Sequence, residues 1–302
     1  METKFKPYEF LVLNIPHASD NIPEHFMPNW DPQRMMRIEW QGDEESQFSK
    51  RKRDKKLYAE LYRLRSKPLI DWYTDELFHS LRIRITTVVS EICRTLCDVE
   101  RMVYDPLEKE GYGIINKRMI KRFYPYCGAG SHISFKEGFF NPTCKELLEY
   151  YTMYQSRLVY AIMNNAYWVR QKYFGDNSVL LIDCHSFSSM PTALCDPGPQ
   201  EQQVDICLGY NDDATCPPQE LIDFVASYFE NLGYRVGRNT PFSHSKTVEC
   251  PVPYHSLMIE VNKRCYMNEQ TLEKTKGFAR LHYEIEGLYS HILKDGGHRI
   301  QF

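Results

Sequence analysis

The chain lacks several features that would each announce a class of protein. Across its 302 residues no uninterrupted apolar run reaches the roughly 18 residues that span a bilayer as a helix. Even the tyrosine-rich stretch 150–168 is cut by Arg157. There is no excess of either charge: 37 Lys+Arg stand against 40 Asp+Glu, for a net charge of −3. That balance argues against a dedicated nucleic-acid binder, which needs a strongly basic surface. The ten cysteines include no Cys-x-x-Cys pair, and Met1–Lys6 has no apolar leader. Reduced thiols in the cytoplasm are therefore expected in place of a disulfide framework. Repeats and low-complexity linkers are missing as well. What the chain does have is 42% hydrophobic and 14% aromatic residues, ample for a large core and unlike disordered, collagenous or coiled-coil sequences.

Short, β-branched apolar runs recur along the chain: Phe10–Ile15, Ile83–Ser90, Val179–Cys184, Val204–Leu208 and Ser256–Val261. Bounded by polar or turn residues, such runs read as buried parallel strands. Helical stretches lie between them. Residues 141–173 open on Asn-Pro and carry Leu147, Leu148, Tyr151 and Tyr154 at helical spacing. Residues 217–231 begin Pro-Pro-Gln-Glu and stop at Gly233, and a last helix is expected over 268–294. Strands alternating with helices predict a single α/β domain, residues 1–302, on a mixed, mostly parallel sheet flanked by helices. The segment 103–140, rich in Gly, Tyr, Phe and Arg and weakly periodic, is expected to be an insertion or lid. The basic run Lys50–Lys56 reads as a solvated helix face.

In open α/β sheets, sites form outside the carboxyl ends of the strands, and several polar residues fall there. His17 follows the first strand, and Asp183 and His185 close the third. Glu260 and Asn262 lie in and just after the last strand, and Arg94, Asp98 and Arg101 follow the second. Neutral imidazole is the commonest metal ligand, and catalytic zinc takes three protein ligands while keeping one position for water. His17 and His185 supply two; Asp71, Asp75 and Glu76 offer the third. Two ordinary hydrogen-bonded histidines are the competing reading. Glu260 sits in Leu257-Met258-Ile259-Glu260-Val261, where a carboxylate is costly unless it is paired or has a task. Beside water activated by zinc it can accept a proton and hand it to a leaving nitrogen; an ion pair with Lys263 or Arg264 is the alternative. Arg94 and Arg101 bracket Asp98, and guanidinium forks suit a substrate bearing carboxylates. His244, Lys246 and His255, in the loop 241–255, are placed to orient substrate or stabilise an oxyanion. Cys184 offers a rival thiol nucleophile, although a buried strand-end cysteine is ordinarily inert. No G-x-S-x-G elbow or H-E-x-x-H pair occurs.

Taken in order, these segments resemble the N-formylglutamate amidohydrolase family. The resemblance runs through Pro16-His17-Ala18-Ser19, Asp71-Trp72-Tyr73-Thr74-Asp75-Glu76-Leu77-Phe78, Arg94-x-x-x-Asp98-x-x-Arg101 and Leu181-Ile182-Asp183-Cys184-His185-Ser186. Asp205-Ile206-Cys207-Leu208-Gly209 and Leu257-Met258-Ile259-Glu260-Val261-Asn262 complete it, so it covers about residues 9–270. It implies a phosphorylase/hydrolase-like α/β fold, similar to that of zinc carboxypeptidases. It further implies zinc-dependent hydrolysis of N-formyl-L-glutamate to formate and glutamate, late in histidine degradation. By position, His17, Asp71 and His185 become metal ligands, with Asp75 or Glu76 in reserve for Asp71. Glu260 becomes the base, and Arg94 and Arg101 the carboxylate clamp; beside them, Lys246 is expected as a catalytic donor to the oxyanion, a role open to Arg101 as well, and Asp98, His244 and Asn262 are expected in the substrate-binding set. The loops at 18–20, 210–213 and 243–247 depart from the family pattern, which keeps another N-acyl amino acid or a small peptide open as the substrate. A non-catalytic binding protein on the same fold is the rival from another class. A small-molecule partner is expected, without nucleic acid or membrane.

Overall fold

The structure, a computed structural model, describes residues 5–23, 36–39, 66–103, 105–106, 113–115, 118–120, 132–135, 141–170, 179–190, 198–199 and 202–294. The strands, in chain order, are β1 (Phe10–Ile15), β2 (Met36–Glu39), β3 (Thr86–Val89), β4 (Arg118–Ile120), β5 (His132–Phe135), β6 (Val179–Phe187), β7 (Ile206–Gly209), β8 (Val236–Arg238) and β9 (His255–Asn262). The helices are α1 (Thr74–Leu77), α2 (Asn141–Arg170), α3 (Gln219–Asn231) and α4 (Lys276–Ile292). Six strands form one sheet in the order β3-β1-β6-β9-β7-β8, and β2, β5 and β4 form a small antiparallel sheet. In the large sheet every neighbouring pair is parallel except β7 with β9. The mostly parallel α/β architecture expected from the alternating runs is therefore the one observed. The reversal at β7 was not legible, because a buried antiparallel strand is as uniformly apolar as a parallel one.

Both faces of the sheet are covered, which is why its strands read as continuous apolar runs. On one face Leu13, Ile15, Ile182, Cys184, Ile259 and Val261 pack with Leu221, Val225 and Phe229 of α3 and with Leu281, Ile285 and Leu288 of α4. On the other, Val12, Val88 and Leu181 meet Leu147, Tyr154, Leu158 and Ile162 of α2. Successive strand residues alternate faces, so the even-numbered positions of β1 and the odd-numbered positions of β6 look toward α2.

Several boundaries differ from the sequence expectation for local reasons. The last helix starts at Lys276 and not at 268, because Thr275 caps it by accepting from the Gly277 N–H (3.3 Å), while Asn268–Thr275 turns back through a bridge between Met267 and Lys274. Gly233 stands in the left-handed region (φ 92°) just after α3, the stop its position predicts. The basic run 50–56, residues 171–173 and most of the 103–140 segment lie outside the described residues. Among the described residues no helix is long and apolar enough to cross a membrane.

Candidate metal centre

Register across the sheet brings the polar residues together. Asn14 of β1 pairs with Asp183 of β6, His185 of β6 with Glu260 of β9, and Glu260 with Cys207 of β7. Paired residues share a face, so these side chains form a patch on the α2 side, at the carboxyl end of the parallel strands. His17 arrives two residues past β1, and its carbonyl accepts the Asp71 N–H (3.0 Å). Asp71 then opens a tight turn into α1, its own carbonyl accepting from Thr74 N (3.2 Å) and Thr74 Oγ1 (2.8 Å). Backbone bonds thus fix the carboxylate against the two histidines.

The ligand atoms of His17, Asp71 and His185 lie within 4.8 Å of one another, and all three residues are buried. Asp71 Oδ2 stands 3.5 Å from His17 Nδ1 and 3.2 Å from His185 Nδ1. The far nitrogens are held from outside: His17 Nε2 by Asp98 Oδ1 at 2.8 Å, His185 Nε2 by Asp183 Oδ1 at 3.0 Å. A carboxylate on one imidazole nitrogen turns the lone pair of the other toward a cation and raises its basicity. Among the described residues His17 Nδ1 is buried with no hydrogen-bond partner, as a nitrogen disposed toward a cation would be. Two imidazoles and one carboxylate around an open position suit a divalent metal such as zinc. Asp75 and Glu76 are exposed, the latter paired with Lys274, so of the three acidic side chains offered by that segment it is Asp71 that faces the histidines.

The electrostatics follow from burial and close pairing. Burial opposes ionisation of Asp71 and Asp98, but the histidines outweigh it at Asp71, and Arg94 with His17 outweighs it at Asp98, holding both carboxyls below the usual range. Burial also opposes a charge on His185, yet Asp183 and Asp71 drive its affinity for a proton up. Glu260 is different. Among the described residues its Oε2 is buried without a hydrogen-bond partner, and desolvation pushes its carboxyl up from 4.5 to about 8. Perturbed titrating groups cluster at functional sites.

Other expected site residues divide between the cluster and the frame. Arg94 donates to Asp98 Oδ2 (2.9 Å), and Arg101 Nε approaches the same oxygen at 3.5 Å while lacking a hydrogen-bond partner. Both arginines are only partly buried. Asp98 bonds to His17 and Arg94, so it orients a histidine instead of presenting a free carboxylate to a substrate. Lys246, expected near Glu260, sends its ammonium to the carbonyls of Val99 (3.2 Å) and Glu100 (3.3 Å), which anchors the arginine loop. Asn262, expected to touch substrate, is fully buried: its amide donates to Gln203 Oε1 and the Val204 carbonyl, and its oxygen caps the next turn at Arg264 N. His244 is exposed, left-handed (φ 68°) and bonded to Ser243. Cys184 points into the α3–α4 core, where burial lifts its thiol well above the ordinary range, so the thiol-nucleophile alternative has no geometry to support it. Lys263, considered from sequence only as an ion-pair partner for Glu260, sends its buried ammonium to the Pro68 carbonyl (3.2 Å) amid the charges of Asp71, Glu260 and Glu269. A lysine directly after a strand that holds a buried glutamate was the available signal.

Fold and cluster together define a mixed, mostly parallel α/β domain with a potential metal centre on its strand ends. The model of the N-formylglutamate amidohydrolase family matches residues 46–267, which take in Asp71, Arg94, Asp98, Arg101, His185 and Glu260. The chain belongs to that family; His17 lies outside the matched span. Among solved structures, the N-formylglutamate amidohydrolase from Ralstonia eutropha JMP134 is similar at 22% identity, covering 95% of this chain and 93% of that one, with a TM-score of 0.57. A gene product from Agrobacterium tumefaciens is similar at 17% identity over 95% and 91% of the two chains, with a TM-score of 0.47. The first likeness bears on the fold. No curated protein matches the chain.

Proposed function

We propose that this protein hydrolyses the formyl amide of N-formyl-L-glutamate, giving formate and glutamate, with a divalent metal, zinc in the first instance, held by His17, Asp71 and His185. The observation that carries the reading is the buried convergence of three ligand atoms whose histidines are each backed by a carboxylate. Such a metal supplies Lewis acidity, which acidifies water and polarises a carbonyl. The remaining work belongs to the chain. Glu260, in register with His185 and with an unpartnered oxygen, takes a proton from the attacking water and returns it to the leaving amine. In the balance, hydroxyl joins the formyl carbon, the C–N bond breaks and the nitrogen gains hydrogen. Arg94 and Arg101, partly exposed beside the cluster, offer guanidinium forks to the substrate's carboxylates, and Asp98 holds both His17 and Arg94 in place.

The test is formate release from N-formyl-L-glutamate by zinc-loaded protein beside a chelated sample. Release that disappears on chelation and returns with zinc is the expected result. Zinc-loaded protein that releases no formate overturns the substrate assignment; a panel of other N-acyl amino acids then shows which acyl group the loops at 18–20, 210–213 and 243–247 accept.

A further inference from the structure

The two carboxylates that orient the histidine ligands are not independent. Asp183 Oδ1, which meets His185 Nε2, also accepts from Asn14 Nδ2 at 2.8 Å, and the same amide nitrogen donates to Glu100 Oε1 at 2.7 Å. The Glu100 N–H in turn donates to Asp98 Oδ1 (3.1 Å), the oxygen that meets His17 Nε2. Followed round, the contacts close: Asp98, His17, Asp71, His185, Asp183, Asn14, Glu100 and Asp98 again. The Asn14 amide cannot turn over within this ring, because its Oδ1 accepts from Tyr154 of α2 at 2.6 Å. Asp183 Oδ2 accepts the Lys246 N–H (2.8 Å), and the Lys246 ammonium grips the carbonyls on either side of the Val99–Glu100 peptide. Asn14, Asp98 and Asp183 are each 2% exposed or less. A carboxylate placed against a buried carboxylate is costly, and here a single amide that donates to both separates half-buried Glu100 from buried Asp183.

We propose that Asn14 and Glu100 are positioning residues that tie the arginine-bearing loop 94–101 to the ligand His185, so that one loop sets the orientation of both histidines: His17 through Asp98, His185 through Glu100, Asn14 and Asp183. This rests on the reading of His17, Asp71 and His185 as metal ligands. Glu100 also lies in a second potential ligand group with Asp183 and His185, but its Oε1 is engaged by the Asn14 amide. Both act on the site through the imidazole that Asp183 holds, as partners beyond the ligands do when they fix tautomer and ring orientation.

Two measurements on the whole protein, neither using substrate, test it on E100A and E100Q. Glutamine keeps an oxygen for Asn14 to bond; alanine removes it, and both leave the Glu100 N–H to Asp98 intact. Zinc affinity by competition with a chelating dye should weaken about 10- to 100-fold in E100A and stay near wild type in E100Q. In metal-free protein, the imidazole Nε2–H resonance of His185 should be protected from exchange in wild type and E100Q and be lost in E100A. E100A with wild-type zinc affinity and a protected His185 proton would overturn the proposal. So would an E100Q that falls as far as E100A, since general loosening of the fold and not the Asn14 bond would then be at work. A wild-type protein that binds zinc but releases no formate overturns the substrate reading alone and leaves this result readable.

Discussion

Glu260 is the proposed base of the site, and its environment makes two separable predictions. Among the described residues its Oε2 has no hydrogen-bond partner, so nothing in the chain competes for the proton it would carry. Glu260→Gln keeps the shape and removes the basicity: it should bind zinc as wild type does and lose about 10²- to 10⁴-fold in turnover, checked by metal analysis beside steady-state kinetics. The second prediction concerns stability without metal. Burial raises the folded-state carboxyl from 4.5 to about 8, so folding favours the protonated form. The stabilisation is complete below the unfolded value and is lost as pH rises through about 8. Metal-free wild type should therefore lose a few kcal/mol between about pH 5 and pH 8 relative to Glu260→Gln in denaturant titrations. Parallel curves for the two proteins would remove the buried charge as the cause.

At the scale of elements, the site depends on where strands end, and the antiparallel strand β7 is the element the sequence disguised. Its entry is pinned by Asp205, whose carboxylate accepts from the Arg235 N–H (2.9 Å) and from Arg264 Nη2 (2.7 Å), while its carbonyl accepts from Asn262 N (2.8 Å). This knot joins β7 to the end of β9, the strand that carries Glu260. Burial works against ionisation of Asp205, but Arg235 and Arg264 outweigh it and lower its folded pKa. Its stabilisation is accordingly present above the unfolded carboxylate value of about 4 and fades as pH falls through the lower folded value. Asp205→Asn should cost roughly 1–2 kcal/mol at pH 7, discounted for partial solvent screening of the Arg264 pair. The gap from wild type should narrow in chemical unfolding as pH falls below the ordinary carboxylate range. The strands that carry ligands were legible for a different reason: Phe10–Ile15 and Val179–Cys184 are apolar on both faces, and the first polar residues after such runs fall at the sheet edge where sites form. The partners were not legible. That Asp98 serves His17, or that the Asn262 amide is spent on Gln203, depends on contacts across 81 and 59 residues of sequence, which no local pattern records. The three-residue strand β8 lacks the apolar run that marked the other five strands of the large sheet.

For the whole molecule, the candidate metal centre sits where separate segments meet: the end of β1, the turn before α1, the end of β6 and the loop after β3. A cation bound there by His17, Asp71 and His185 therefore links residues far apart in sequence, and the unfolded chain presents no such set. Binding to the folded state alone stabilises it by mass action, by about 2.7 kcal/mol when free metal stands at 100 times its dissociation constant. For a chain of this length that corresponds to a rise of a few degrees in the melting temperature. The increment should grow with the logarithm of zinc concentration, vanish on chelation, and be absent in His185→Ala, which removes one ligand while Glu260 remains. Calorimetric melts of the wild type and His185→Ala across a zinc series measure it directly. An equal rise in both proteins would place the stabilising ion elsewhere on the surface. A rise confined to wild type would show that the same four segments, held together only in the folded chain, close around the metal on which the proposed hydrolysis depends.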